Sequence, residues 1–208
     1  DPSPWTAYGV FLGIQAAARA RLGVESLEGL RVAVQGAGNV GFNLCQQLAK
    51  AGAHVLVADV NRDNLKKAVE IEGVTQISAR DILFADVDIL APCALGNILN
   101  AESISKINAK VIAGAANNQL STEQDGKRLT ERGILYAPDY VINAGGVISV
   151  AREFLGQSSE QQVKTEVDRI PQRLSDIFTE SADTGRPTNL IADELARRIV
   201  ADAAGRTA

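Results

Sequence analysis

The stretch VQGAGNVG, residues 34–41, lies between an apolar run, LRVAV (30–34), and a segment that reads as helix, FNLCQQLAKAG (42–52). Gly36, Gly38 and Gly41 spell G-x-G-x-x-G. At a strand-to-helix junction the three glycines have separate duties. The first permits the tight turn, the second lets a pyrophosphate touch backbone, and the third lets the helix pack close to the strand. The opening of the helix adds unpaired N–H groups and a positive dipole end, which together hold an anion. Asn39 and Val40, inside the turn, are expected at the same ligand.

A bare G-x-G-x-x-G has low specificity, so its surroundings decide. Asp59 closes a second apolar run in VLVADVN, 18 residues after Gly41. A carboxylate there accepts hydrogen bonds from both ribose hydroxyls of an adenosine and repels a 2′-phosphate. Val60 and Asn61 follow it and are expected nearby. The plainer reading is that Asp59 only begins a turn, and Arg62 is close enough to neutralise a phosphate. Strand, glycines, helix, strand and acid nevertheless come in the order that a dinucleotide such as NAD requires.

Working outward, apolar and β-branched runs recur at 30–35, 53–58, 87–91, 110–114 and 134–137, with a short extra strand at 74–77. Helical stretches lie between them near 40–51, 62–71, 101–107 and 121–132. Strands this apolar, alternating with helices, predict an α/β fold with a doubly wound, mainly parallel Rossmann sheet. The expected strand order is 3-2-1-4-5-6. An N-terminal helix over 4–22 is expected, with Ser3 as cap, Pro4 in the first turn and Gly23 as the stop. The whole chain, 1–208, reads as one dinucleotide-binding domain with a C-terminal helical segment over 144–204. In that segment Ser159 and Gln162 form a capping box. Val163, Val167, Ile170, Leu174 and Ile177 make one apolar stripe, kinked at Pro171. Gly185 and Pro187 break it, and Asn189 caps a last helix carrying Ile191, Leu195 and Ile199.

Composition narrows the class further. A net charge of −4 with scattered Lys and Arg argues against nucleic acid as a partner, and Arg19 with Arg21 and Arg197 with Arg198 read as solvated helix faces. No apolar run reaches the roughly 20 residues of a membrane span, and no signal peptide opens the chain. Cys45 and Cys93 have neither metal-ligand nor disulfide spacing, so a reducing, cytoplasmic setting and no metal are expected. With His54 the only histidine, a histidine-based nucleophile relay is disfavoured. The sequence has no methionine and opens DPSPW, which reads as a fragment, a processed product or a trimmed chain.

Several stretches together resemble the cofactor-binding domain of the amino acid dehydrogenases that act on glutamate, leucine, phenylalanine and valine, most nearly the branch acting on leucine. They are DPSPWTAYGV (1–10), VQGAGNVG (34–41), DVN (59–61), DILAPCALGNILN (88–100), KVIAGAANNQL (110–120) and YAPDYVINAGGVISVA (136–151). The resemblance implies NAD as cofactor and oxidative deamination of an L-amino acid to a 2-oxo acid and ammonia, hydride passing from the substrate Cα to the nicotinamide. It implies that Thr6 and Asn143 lie near the nicotinamide carboxamide, that Cys93 and Ala94 run along the nicotinamide ribose, and that Asn117 and Asn118 meet the substrate–nicotinamide junction. Val147 and Val150 match positions lining the substrate side-chain pocket. An apolar residue at Val150, where similar glutamate enzymes carry serine, favours an aliphatic or aromatic substrate. It also implies a homo-oligomer as the full-length enzyme.

The family's acid–base lysine and aspartate, from a glycine-rich context in an N-terminal substrate domain, match nothing in these 208 residues. No catalytic residue is therefore assigned, and the isolated chain is expected to be inactive. The alternative is a stand-alone NAD-binding sensor or regulatory module. Plainer duties also stand: Cys93 as a small buried hydrophobe without chemistry, Val147 and Val150 as core, and His54 as structural or exposed. Asp86, Asp88 and Asp139 read as turn or cap residues.

Overall fold

The structure, a computed structural model, describes residues 1–156 and 159–205. Residues 157 and 158, inside the expected C-terminal segment, and 206–208 lie outside the described residues. Six strands, β1 (Arg31–Gln35), β2 (His54–Ala58), β3 (Val74–Gln76), β4 (Ile89–Pro92), β5 (Val111–Ile112) and β6 (Leu135–Tyr136), form one sheet. Its order is β3-β2-β1-β4-β5-β6, and every pairing is parallel. That is the expected doubly wound order.

Strand residues alternate between two cores, as a pleated sheet covered on both faces requires. Val32, Val34, Val55, Val57, Ile89, Ala91 and Val111 face one core. Ala33, Leu90 and Ile112 face the other. The first core lies beneath α1 (Ser3–Leu22), α2 (Asn39–Lys50) and α3 (Arg62–Val69), joined by α6 (Asp139–Ile142), α7 (Gly145–Phe154), α8 (Glu160–Val167) and α9 (Ile170–Thr184). The second is closed by a 3-10 turn at Ile82–Phe84 and by α4 (Ala101–Lys106) and α5 (Glu123–Glu131). A last helix, α10 (Thr188–Gly205), packs on α9 through Ile177, Ile191 and Ala192. Among the described residues no helix is long and apolar enough to cross a membrane.

Local chemistry departs from expectation at five places. Ser3 is not the cap of α1. Its N–H donates to the Asp1 carboxylate at 2.9 Å, so the helix begins one residue earlier, while Gly23 ends it in the left-handed conformation as expected. The stripe from Val163 to Ile177 is fully buried but divided between two helices. Pro171 does not kink one helix; it sits in the first turn of a second, where its missing N–H costs nothing. Ser159 caps α8, but the Gln162 side chain accepts the Ser159 hydroxyl at 2.8 Å, where a capping box would have it reach the backbone N–H. Asn189 lies inside the first turn of α10, with its amide donating to the Glu123 carbonyl at 3.4 Å. Ile199, placed with Ile191 and Leu195 on the apolar side of that helix, is exposed.

Candidate functional site

The sheet order reverses between β1 and β4, the point where doubly wound sheets bind ligands at the carboxyl ends of their strands. Register brings three chain exits together: Gln35 lies opposite both Ala58 and Pro92. Beyond them the Gly36 N–H donates to the Ala58 carbonyl at 2.7 Å, and the Cys93 N–H to the Gln35 carbonyl at 2.7 Å. The glycine turn, Asp59 and the Cys93–Ala94 loop thus share one edge.

Each glycine of the turn has its own reason. Gly36 holds a φ of +98°, and a Cβ there would meet Ala94 Cβ at 2.7 Å. A Cβ on Gly41 would lie 1.9 Å from the Gly36 carbonyl oxygen, so α2 could not start where it does. Gly38 differs: a Cβ there would meet no protein atom within 4 Å. No side chain caps α2, so its first N–H groups are left without a side-chain acceptor. The turn therefore presents an anion cradle that a side chain at Gly38 would fill. A hollow of about 210 Å³ adjoins it, lined by Gly38, Asn39 and Lys67 among others.

At the other end of the turn lies a cleft of about 910 Å³. Thr6, Val40, Asn117, Asn143, Val147 and Val150, all picked from the sequence, line it. Two glycines bring its walls together. A Cβ on Gly145 would lie 2.1 Å from the Trp5 carbonyl oxygen, and one on Gly146 2.4 Å from the Thr6 hydroxyl oxygen. The start of α7 can therefore rest directly on α1. Asn143 donates one N–H to the Ala115 carbonyl at 3.1 Å and the other to Asn117 Oδ1 at 2.7 Å. Both donors are thereby used, and Oδ1 of Asn143 and the amide nitrogen of Asn117 remain for a ligand.

Val147 and Val150 are largely exposed and line the cleft, so they are not core. Ala151, Phe154 and Leu155 extend their apolar wall and were missed. The three- and four-residue spacing from Val147 through Val150 and Ala151 to Phe154 was a legible helical stripe. Pro2, Ser3 and Ala115 also line the cleft; they lie inside the stretches that carry the family resemblance but were given no role at a site.

Of the remaining candidates, Val60 is almost wholly exposed, and the Asn61 side chain is spent capping α3 through Asp63 and Asn64. Ala94 is exposed beside Gly36, and Cys93 is half-buried. Burial pushes the Cys93 thiol up to about 12, against the lowering effect of the Ala115 backbone, so the group is a neutral thiol at physiological pH. Asn118 adopts a φ of +52°, and its carbonyl accepts the Asn97 N–H at 2.7 Å. Asp86 and Asp88 both serve Arg31, one its guanidinium and the other its N–H. Asp139, in the first turn of α6, accepts the Gln119 N–H at 3.2 Å and its neighbour Tyr140's at 2.8 Å. Among the described residues no group of His, Cys, Asp or Glu could hold a metal ion.

Residues 3–62 and 56–204 match the family described as glutamate/leucine/phenylalanine/valine dehydrogenase. The chain belongs to that family. Leucine dehydrogenase of Bacillus subtilis is 49% identical over 94% of this chain and 54% of its own length. L-tryptophan dehydrogenase of Nostoc punctiforme is 46% identical over 94% of this chain and 55% of its own. A crystal structure of the Nostoc punctiforme L-tryptophan dehydrogenase superposes with a TM-score of 0.92 at 44% identity, covering 97% of this chain and 62% of that one. Glutamate dehydrogenase of Thermus thermophilus shares the fold alone, with a TM-score of 0.68 at 22% identity over 89% of this chain and 49% of that one. The chain thus spans about half the length of the curated relatives it matches.

Proposed function

We propose that residues 1–208 are the NAD-binding domain of an amino acid dehydrogenase that deaminates an apolar, leucine-like L-amino acid. The reaction takes L-amino acid, NAD and water to 2-oxo acid, ammonia, NADH and a proton. The observation that carries this reading is one glycine turn that leaves open space at Gly38 and, two residues on at Val40, lines a cleft that is polar at Asn117 and Asn143 and apolar at Val147 and Val150. Family membership and the named relatives support it.

When bound, NAD supplies the hydride acceptor. The chain's own residues bind and orient. The N–H groups at the start of α2 hold the pyrophosphate. Asp59, with Val60 and Asn61 beside it, faces the adenosine ribose. Cys93 and Ala94 flank the nicotinamide ribose, and Asn118 with Asn117 marks the junction with substrate. Thr6 and the acceptor oxygen of Asn143 hold the carboxamide, which fixes the ring face turned to the cleft. Val147 and Val150 offer nothing to pair with a second carboxylate, so an apolar side chain is favoured. The acid–base groups are expected outside these residues, and the full-length enzyme is expected to be a homo-oligomer. Two free cysteines suit a reducing, cytoplasmic setting.

Calorimetric titration of the chain tests the cofactor assignment. NAD is expected to bind one site per chain and more tightly than NADP. Absence of NAD binding by a folded chain would overturn the reading.

A further inference from the structure

In the segment GAANNQL (114–120), Gln119 follows Asn117 and Asn118, which carry the site roles assigned to this stretch. Yet Gln119 is fully buried, with no measurable exposure. Its side-chain nitrogen donates both hydrogens to backbone, to the Gly114 carbonyl at 3.0 Å and the Ala116 carbonyl at 2.9 Å. Two acceptors on one side fix which way the amide faces, and its oxygen is left buried without a partner. An orphaned buried acceptor costs free energy, so the two donated bonds, not satisfaction of the amide itself, account for a polar residue at this place.

Those two bonds turn the carbonyls of Gly114 and Ala116 inward. The carbonyl between them, on Ala115, accepts from Asn143 at 3.1 Å, and Ala115 lines the cleft. Gln119 is itself anchored at both ends of its backbone. Its N–H donates to Asp139 at 3.2 Å, and its carbonyl accepts the Leu99 N–H at 3.0 Å. The amide is thus a strut between a rigid frame and the segment that aims Asn143.

We infer that Gln119 is a positioning residue for the nicotinamide end of the cleft, acting through the Ala115 carbonyl on the Asn143 amide. The inference rests on the cofactor reading proposed above. With the strut removed, Ala115 and Asn117 lose their fixed places and Asn143 no longer holds its acceptor toward the carboxamide. The pyrophosphate and adenosine contacts, at Gly38 and Asp59, stay as they are.

The test compares NAD with ADP-ribose, which lacks the nicotinamide, by calorimetry on the full-length protein, with thermal melting as a check on folding. In Gln119→Met, similar in shape but without donors, NAD affinity is expected to fall about tenfold, the net worth of a lost hydrogen bond, with ADP-ribose affinity unchanged. Equal losses for both ligands would mark a merely structural role and overturn the inference, as would no loss for either. If Gln119→Met does not fold, Gln119→Glu carries the test. Its carboxyl, buried against two carbonyls, restores one donor while protonated, so the selective loss of NAD is smaller and grows as pH rises. An unchanged NAD to ADP-ribose ratio at every pH overturns the inference. If the parent protein binds neither ligand, the cofactor reading fails and this inference with it; binding of both by the parent separates the two failures.

Discussion

The Asp59 carboxylate, at the end of β2, accepts the backbone N–H of Ala37, inside the glycine turn, at 2.7 Å. Its other oxygen accepts the Asn61 N–H, also at 2.7 Å. Asp59 therefore ties the turn to the neighbouring strand before any ligand arrives. A carboxylate has about four acceptor positions, so facing a ribose remains open to it. The two duties separate by experiment. Without cofactor, Asp59→Ala is expected to lower stability by about 1.5–3 kcal/mol, the worth of charge-assisted hydrogen bonds, in urea denaturation. With cofactor, Asp59→Ser is expected to narrow or reverse the preference for NAD over NADP. A stability unchanged by Asp59→Ala would mean that the turn stands without this tie.

Gly38 and Gly41 make opposite predictions from the same motif. Gly38→Val adds a side chain to open space at an ordinary φ of −66°. The fold is expected to survive, with NAD affinity down at least about tenfold, equivalent to about 1.4 kcal/mol. Gly41→Ala drives a Cβ into the Gly36 carbonyl. Overpacking against backbone is expected to cost about 3 kcal/mol or more, visible as a lower melting temperature without ligand. Unchanged NAD affinity in a folded Gly38→Val variant would remove the pyrophosphate from this turn.

Alkaline pH provides a third test. Cys45 is fully buried in α2. Burial first, and the nearby Cys93 second, push its thiol up from 9.0 to about 12. The unfolded chain therefore ionises first as pH rises, and unfolding releases a proton. The stabilisation is complete below about pH 9, the unfolded value, and is lost between there and pH 12. Each pH unit inside the window is worth about 1.4 kcal/mol per group. Urea midpoints are expected to fall across this range, and Cys45→Ala to flatten the fall while costing about 1 kcal/mol at neutral pH. An equally steep fall in Cys45→Ala would assign the effect to other groups.

The Rossmann order was readable because each strand is a short apolar run closed by a turn signal, and Gly36 to Asp59 added the motif that orients the first pair. The cleft was readable only in part. Thr6 meets Asn117, Asn143, Val147 and Val150 from more than a hundred residues away in the chain. No periodicity reports such convergence, and the family resemblance supplied it. Helix ends were harder, because nearby side chains compete for the same N–H groups. Asp1 displaced Ser3 as the N-terminal acceptor. At α10 the side chains turn to carbonyls instead: the Thr188 hydroxyl donates to the Tyr136 carbonyl at 2.7 Å and the Asn189 amide to the Glu123 carbonyl at 3.4 Å, and the helix already includes both residues. Gln119 carried no signal at all, since its partners are backbone carbonyls.

The last prediction concerns chemistry. No lysine here lies in the glycine-rich context expected of the family's acid–base group, and the cleft is lined by the amides of Asn117 and Asn143, the hydroxyls of Ser3 and Thr6 and apolar residues, with no ionisable acid or base among the described residues lining it. The isolated chain is expected to bind NAD yet to produce no NADH absorbance with leucine, valine, phenylalanine or glutamate. The full-length enzyme is expected to turn over the apolar substrates ahead of glutamate. Burying a second carboxylate unpaired beside Val147 and Val150 would cost several kcal/mol, and a Val150→Ser change is expected to reduce that bias. Turnover by the isolated chain would place acid–base groups within these 208 residues. A glutamate preference in the full-length enzyme would overturn the pocket assignment and leave the cofactor site standing. NAD binding with no turnover of any amino acid by the full-length protein would favour a sensor over an enzyme.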